Sequence, residues 1–212
     1  SGIPFSDPMA DGIVIQEAAT RALRNGMSLH ILFEQLRDIR SDVRIPLILM
    51  GYLNPIMKFG FEAFCQKCVE CGIDGVIIPD LPFKDYEETY KPIADRYDIR
   101  VIMLITPETS EARVREIDEH TDGFIYMVSS AATTGAQKDF DSQKQAYFKK
   151  IQDMHLRNPR MVGFGISNKQ TFDAACANSS GAIIGSRFVT LLNEAEGDAE
   201  KAITQLKEGL KK

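Results

Sequence analysis

The sequence predicts an α/β fold built on a parallel sheet, of the TIM (β/α)8-barrel type. Three observations predict it. Short apolar runs alternate with amphipathic helical patterns along the whole chain. The runs are apolar at nearly every position, which marks strands buried on both faces, as in a parallel sheet. Polar and glycine-rich residues stand just after the runs, where a barrel keeps its chemistry.

In chain order, the loop Gly2–Gly12 comes first, followed by helical patterns at Ile13–Asn25 and Leu29–Arg40. The first strand is Ile45–Gly51, and Asn54-Pro55 after Tyr52 reads as a loop. The helix Phe61–Cys71 carries Phe61, Phe64, Cys65 and Cys68 on one stripe and stops at Gly72. Strand Gly75–Pro79, helix Tyr86–Tyr97 and strand Arg100–Ile105 follow. Thr109-Ser110-Glu111 is a start signal for helix Ser110–His120. Strand Gly123–Ser129, helix Ser142–His155 and strand Met161–Gly165 continue the alternation. Ser167-Asn168 starts helix Lys169–Ala177, and strand Gly181–Ser186 and helix Asp198–Lys211 complete it. Six strands are evident, whereas a barrel has eight in typically ~250 residues. The first strands are the ones not evident. No Pro/Gly/Ser-rich linker divides the chain, so residues 1–212 read as one domain.

The competing architecture, an open dinucleotide-binding sheet, calls for G-x-G-x-x-G after an early strand. Gly163-Phe164-Gly165 is followed by Ile166-Ser167-Asn168 and does not supply it. Composition narrows function further. With 25 basic and 30 acidic residues the formal charge is −5, which argues against general nucleic-acid or anionic-membrane binding. No apolar run approaches the ~20 residues of a membrane helix. The opening residues do not read as a signal peptide. Four cysteines in 212 residues suit a reducing cytosol rather than a disulfide scaffold, so a cytoplasmic protein is expected. Cys65, Cys68 and Cys71 have a cluster-like spacing, but their helical stripe and the lack of a fourth ligand make them core residues. His30, His120 and His155 lie in or at the ends of helices without metal-ligand spacing; surface or capping roles and no metal site are expected.

Three groups of residues could carry chemistry. The loop Gly2–Gly12 presents Asp7 and Asp11, which could serve as a base or as an anchor for a substrate N–H; both also suit turn or capping positions. Glycines at Thr134-Gly135, Gly163-Phe164-Gly165 and Gly185-Ser186 close the last three strands. Glycine there lets backbone N–H groups approach a phosphate, and the following helix start adds a favourable dipole. Tyr126 lies inside an apolar strand, and spacing does not decide between a core ring and a hydroxyl in the barrel mouth.

GIPFSDPMADG, Met50-Gly51-Tyr52-Leu53-Asn54-Pro55, Pro79-Asp80-Leu81-Pro82, Gly163-Phe164-Gly165-Ile166-Ser167 and Gly185-Ser186 together resemble the tryptophan synthase alpha chain family. The similarity runs in order along essentially the whole chain. It implies a TIM barrel that cleaves indole-3-glycerol phosphate to indole and glyceraldehyde 3-phosphate by a retro-aldol reaction. It implies no cofactor in this chain, and a beta-chain partner in an alpha2-beta2 complex that holds pyridoxal phosphate and condenses the indole with serine. By match, Asp11 holds the indole N–H and Tyr126 is the active-site tyrosine. Gly135, Gly165, Gly185 and Ser186 match the phosphate-binding backbone, Thr134 lies on the loop that closes over substrate, and Ile77 and Phe164 match apolar residues around the indole. Asp7, Pro8 and Asn54 match the face toward the beta chain. Ser129–Asp141 matches the loop that closes over substrate.

The resemblance also has departures. The family's catalytic glutamate lies two residues before the glycine of GIPFSDP, and here Gly2 is preceded only by Ser1. The family's first strand, first helix and most of its second strand are not matched within these residues. The chain as it stands is therefore expected to lack the principal acid/base. Ala132 replaces a usual glycine of the closing loop, and Arg187 a usual small residue after Gly185-Ser186. Two alternatives remain beside a shortened alpha chain: another phosphate-binding barrel enzyme, or a non-catalytic module docking on a beta chain. The specific GIPFSDPMADG loop opposes the first. The retained Asp11, Tyr126 and glycines oppose the second.

Overall fold

The computed structural model describes residues 2–128, 137–163 and 165–211, with the side chains of 137–142 left aside. It divides into two compact units, Ser1–Met103 with His120–Gly123, and Leu104–Glu119 with Phe124–Lys212.

In the first unit, helices α1 (Ile13–Arg24) and α2 (Leu29–Leu36) precede strand β1 (Ile48–Met50). The Ser28 side chain accepts the Ile31 N–H and caps α2. Helices α3 (Leu53–Phe59) and α4 (Phe61–Glu70) lead to β2 (Gly75–Ile77). Short α5 (Phe83–Asp85), a π turn at Tyr86–Tyr90 and α6 (Lys91–Arg96) then lead to β3 (Arg100–Ile102). The strands are parallel in the order β1-β2-β3, with Leu49 beside Val76 and Val76 beside Val101. Leu49, Val76 and Val101 are all buried, as the unbroken apolar runs predict. The Arg40 guanidinium binds the carbonyls of Gly72, Val43 and Ile45 and pairs with Asp74. Asp74 in turn accepts the Leu47 N–H at 2.7 Å, which ties the entries of β1 and β2 together. Gly2 bridges Met50 in parallel on the free side of β1, and the Ile3 N–H reaches the Met50 carbonyl at 2.7 Å. Gly51 makes this approach possible, since a Cβ there would lie 2.5 Å from that of Ile3.

The cysteine stripe is core. Cys65 and Cys68 are fully buried beside Phe64, and the Phe64 and Phe33 rings meet edge-on at 5.7 Å. Burial pushes the Cys65 thiol up to about 12 and that of Cys68 higher still, so neither is a thiolate near neutrality. The three histidines are exposed. His30 packs on Phe59, and His120 pairs with Glu87.

In the second unit, β4 (Leu104–Ile105), β5 (Ile125–Val128), β6 (Arg160–Gly163) and β7 (Gly181–Ala182) form a parallel sheet in that order. Helices α7 (Glu111–His120), α8 (Gln137–Asp153) and α9 (Lys169–Cys176) alternate with them, and α10 (Ser186–Glu194) and α11 (Ala199–Gly209) follow. His120, at the end of α7, groups with the first unit. Buried Asp118 accepts the N–H groups of Arg157 and Asn158 at 2.7 and 2.8 Å and so fixes the approach to β6. The capping box of α9 pairs Asn168 with Thr171, at the start signal read from the sequence.

Several expectations are corrected. The run Arg100–Ile105 is two strands, because β3 pairs with β2 while β4 pairs with β5. Asn54-Pro55 is not a loop but the first turn of α3. Proline is tolerated there because first-turn N–H groups have no intrahelical acceptor. A further helix, α10, starts at Ser186 and was hidden in the sequence by the glycine signal before it. Phe188 and Leu192 of α10 pack with Leu206 of α11 around buried Leu191, Ala195 and Ala202. Helix α8 begins at Gln137, so the closing loop expected over Ser129–Asp141 is helical in its last five residues. Residues 129–136 lie outside the described part.

Candidate active site

The loop Gly2–Gly12 is held by a residue that spacing did not single out. Tyr52, just after β1 and 5 % exposed, packs its ring 5.6 Å from that of Phe5. Its hydroxyl accepts the Ala10 N–H at 2.9 Å and hydrogen-bonds the Asp11 carboxylate. Asp11 is half-buried. Burial raises its pKa above the usual carboxylate value, and the Tyr52 bond opposes that rise. The Tyr52 phenol is itself pushed up to about 12, by burial first and by the charges of Asp11 and Asp80. It therefore keeps its proton at ordinary pH and can donate to Asp11 while accepting from Ala10. The only hint of this in the sequence was the position of Tyr52 just past a strand end.

The same unit holds the other residues expected near the ring or a partner. Ile77 is buried at the end of β2, and its carbonyl accepts the Gly51 N–H at 3.0 Å. Asp7 is exposed and bonds the Ser6 hydroxyl. Asn54 is exposed, and Pro8 is partly so. Met9 and Met57, at 95 % and 56 % exposure, are apolar residues open to solvent on the same two segments.

The second unit holds Tyr126, Gly163, Gly165, Gly185 and Ser186. Tyr126 is buried in β5 and lies against Gly163 of β6. A Cβ on Gly163 would fall 2.0 Å from the Tyr126 hydroxyl oxygen, so glycine there makes room for the ring. Gly165 has φ +74°, a left-handed backbone that glycine adopts without strain. Gly185 caps α10 with no side-chain bond, a Cβ there would meet no described residue within 4 Å, and both it and Ser186 are exposed. Among the described residues no capping side chain thus occupies the first-turn amides of α10. The Arg187 guanidinium runs along α10 to within 4.0 Å of Glu194. Thr134, Gly135 and Phe164 lie outside the described residues. A groove of about 510 Å³ between α7 and α8 is lined by Glu111, Arg115, Lys149, Lys150 and Asp153 and contains no expected site residue. Among the described residues no group of ligating side chains could hold a metal ion, and no helix is long and apolar enough to cross a membrane.

Parallel strands alternating with helices, with polar loops and glycines at their ends, define an α/β protein of the (β/α)8-barrel type. A family model described as tryptophan synthase alpha chain matches residues 1–212. The tryptophan synthase alpha chain of Bacteroides fragilis is 81% identical over 206 residues, 97% of this chain and 78% of that protein. That of Bacteroides thetaiotaomicron is 80% identical over 210 residues, 99% of this chain and 82% of that protein. The solved tryptophan synthase A-subunit of Pyrococcus furiosus superimposes with a TM-score of 0.87 at 32% identity, over 99% of this chain and 84% of that one. The same organism's tryptophan synthase complex gives 0.85 at 30% identity, over 99% and 84%. The chain belongs to the tryptophan synthase alpha chain family and is a lyase of tryptophan biosynthesis.

Proposed function

We propose that this chain cleaves indole-3-glycerol phosphate to indole and glyceraldehyde 3-phosphate, with Asp11 holding the indole N–H. The observation that carries the reading is the Asp11 carboxylate, half-buried and fixed by Tyr52. In the reaction, a proton added at C3 of the indole turns the ring into an electron sink. A base removes the proton of the adjacent side-chain hydroxyl, the C–C bond to C3 breaks, and its electron pair returns to the ring. A carboxylate accepting the ring N–H stabilises the positive charge that develops there. The acid/base position implied by the family lies two residues before Gly2, so that role is assigned to none of these 212 residues.

Tyr126 and Ile77 supply aromatic and apolar surface for the ring, joined by Phe164. Backbone N–H groups at Gly165, Gly185 and Ser186, with Gly135, take the phosphate, and Thr134 belongs to the loop over the substrate; the uncapped start of α10 supports this. Asp7, Pro8 and Asn54, with exposed Met9 and Met57 beside them in sequence, form the face for a beta chain. That partner brings the pyridoxal phosphate, and none is assigned to this chain. The test is to supply the natural polypeptide with indole-3-glycerol phosphate, with and without a beta chain, and to measure both products. Indole and glyceraldehyde 3-phosphate in equal amounts support the reading; release of neither overturns it.

A further inference from the structure

Helix α3 starts at Leu53 with Tyr52 as its N-cap, and the Tyr52 side chain makes no capping bond. A side chain from another strand end does this instead: Asp80 Oδ1, in the loop after β2, accepts the Leu53 N–H at 2.8 Å. A carboxylate suits this place, because the first-turn amides lack intrahelical acceptors and carry partial positive charge. The backbone that Asp80 holds is the one that carries Tyr52. The Tyr52 ring is buried against Phe5, and its hydroxyl takes the Ala10 N–H at 2.9 Å. Two loops 27 residues apart in sequence, and a third 42 residues from Tyr52, are thus joined by two hydrogen bonds.

We infer that Asp80 and Tyr52 form a two-step brace that positions Asp11: Asp80 fixes the start of α3, and the Tyr52 hydroxyl fixes the Ala10-Asp11 turn. Neither residue is assigned contact with substrate. The brace rests on the role proposed for Asp11 only in its effect on turnover; its effect on the Asp11 carboxylate stands apart. The charged groups that bear on the Tyr52 hydroxyl are Asp11 and Asp80. Both keep the phenol protonated, so the hydroxyl remains a donor to Asp11 across the working pH range. Asn54 follows Leu53 directly, so Asp80 also fixes the turn that carries a residue of the proposed partner face.

The test uses the natural polypeptide with Tyr52→Phe, Asp80→Asn and Asp80→Ala. The Asp11 carboxyl carbon is followed by NMR through a pH titration, and kcat and KM are measured in parallel. Tyr52→Phe removes a hydrogen bond to the charged form, so the Asp11 titration should move up. kcat should fall about tenfold or more, with KM less affected, because a hydrogen bond to a charged group is lost. Asp80→Asn keeps an oxygen acceptor for the Leu53 N–H and should stay near the unmodified protein, whereas Asp80→Ala should lose several-fold in kcat and move the Asp11 titration in the same direction as Tyr52→Phe. An unmoved Asp11 titration in Tyr52→Phe, or Asp80→Ala indistinguishable from Asp80→Asn, overturns the brace. If Asp11→Asn keeps full turnover while Tyr52→Phe still moves the titration, the brace stands and the catalytic role of Asp11 falls.

Discussion

The loop Gly2–Gly12 and the strand ends of the second unit build their candidate sites from different materials. In the loop, side chains do the work: a buried phenol, Tyr52, holds the half-buried carboxylate Asp11. After β6 and β7 the proposed contacts are made by backbone amides, mostly at glycines. Even those glycines differ. Gly163 is filled by its neighbour, with the Tyr126 ring where a Cβ would be, while no described residue lies within 4 Å of a Cβ on Gly185. One glycine is required for packing, and the other is the one proposed to admit the phosphate.

That contrast can be broken by substitution. Gly163→Ala forces a methyl group into the Tyr126 ring and should destabilise the fold by about 1–3 kcal/mol, as overpacking does. A denaturant midpoint unchanged from the unmodified protein would show that the ring moves aside freely. Gly185→Val should leave the fold in place but weaken inorganic phosphate binding about tenfold, since a branched side chain obstructs approach to the backbone amides. Calorimetric titration checks this, and unchanged affinity removes Gly185 from the phosphate site. Gly185→Ala should shift stability by less than about 0.5 kcal/mol, because its φ of −107° is open to any residue and no described residue lies within 4 Å of the added Cβ.

The smallest effect concerns the loop and has a definite sign. Burial raises the Asp11 pKa in the folded chain above its ordinary 3.8. The folded state therefore binds this proton more tightly than the unfolded chain does. Its contribution to stability is fully present below 3.8 and is lost as pH rises through the folded value. Asp11→Asn removes that loss. The melting temperature of the variant relative to the unmodified protein should thus climb from pH 3.5 to neutrality and then level off. A gap that narrows with rising pH would contradict the burial of this carboxylate.

Much of this was legible in the sequence because it is written in local pattern. The apolar runs located the described strands, though one run held two of them, and the Phe61–Cys68 stripe placed the cysteines in the core. What was not legible depends on distant partners. The run Arg100–Ile105 is uniformly apolar, so nothing local shows that its two halves pair in different sheets. Asn54-Pro55 reads as a loop because proline usually breaks helices; Asp80, 27 residues away, supplies an acceptor for the helix start. The Asp11 loop could be recognised by its run of residues, but its dependence on Tyr52 could not, since that bond spans two loops. The glycines were visible as spacing, yet only the packing of Tyr126 separates Gly163 from Gly185.

In the function proposed above, the Asp11 carboxylate holds the indole ring and the backbone amides after β6 and β7 take the phosphate. The measurement that tests it most directly is Asp11→Asn in the natural polypeptide, assayed for indole release and for the affinity of a glycerol phosphate analogue. The account predicts that release falls about a hundredfold or more, as when a preorganised electrostatic partner is removed, while analogue affinity stays within about twofold. Full indole release from the variant, or equal loss of release and analogue affinity, would contradict it.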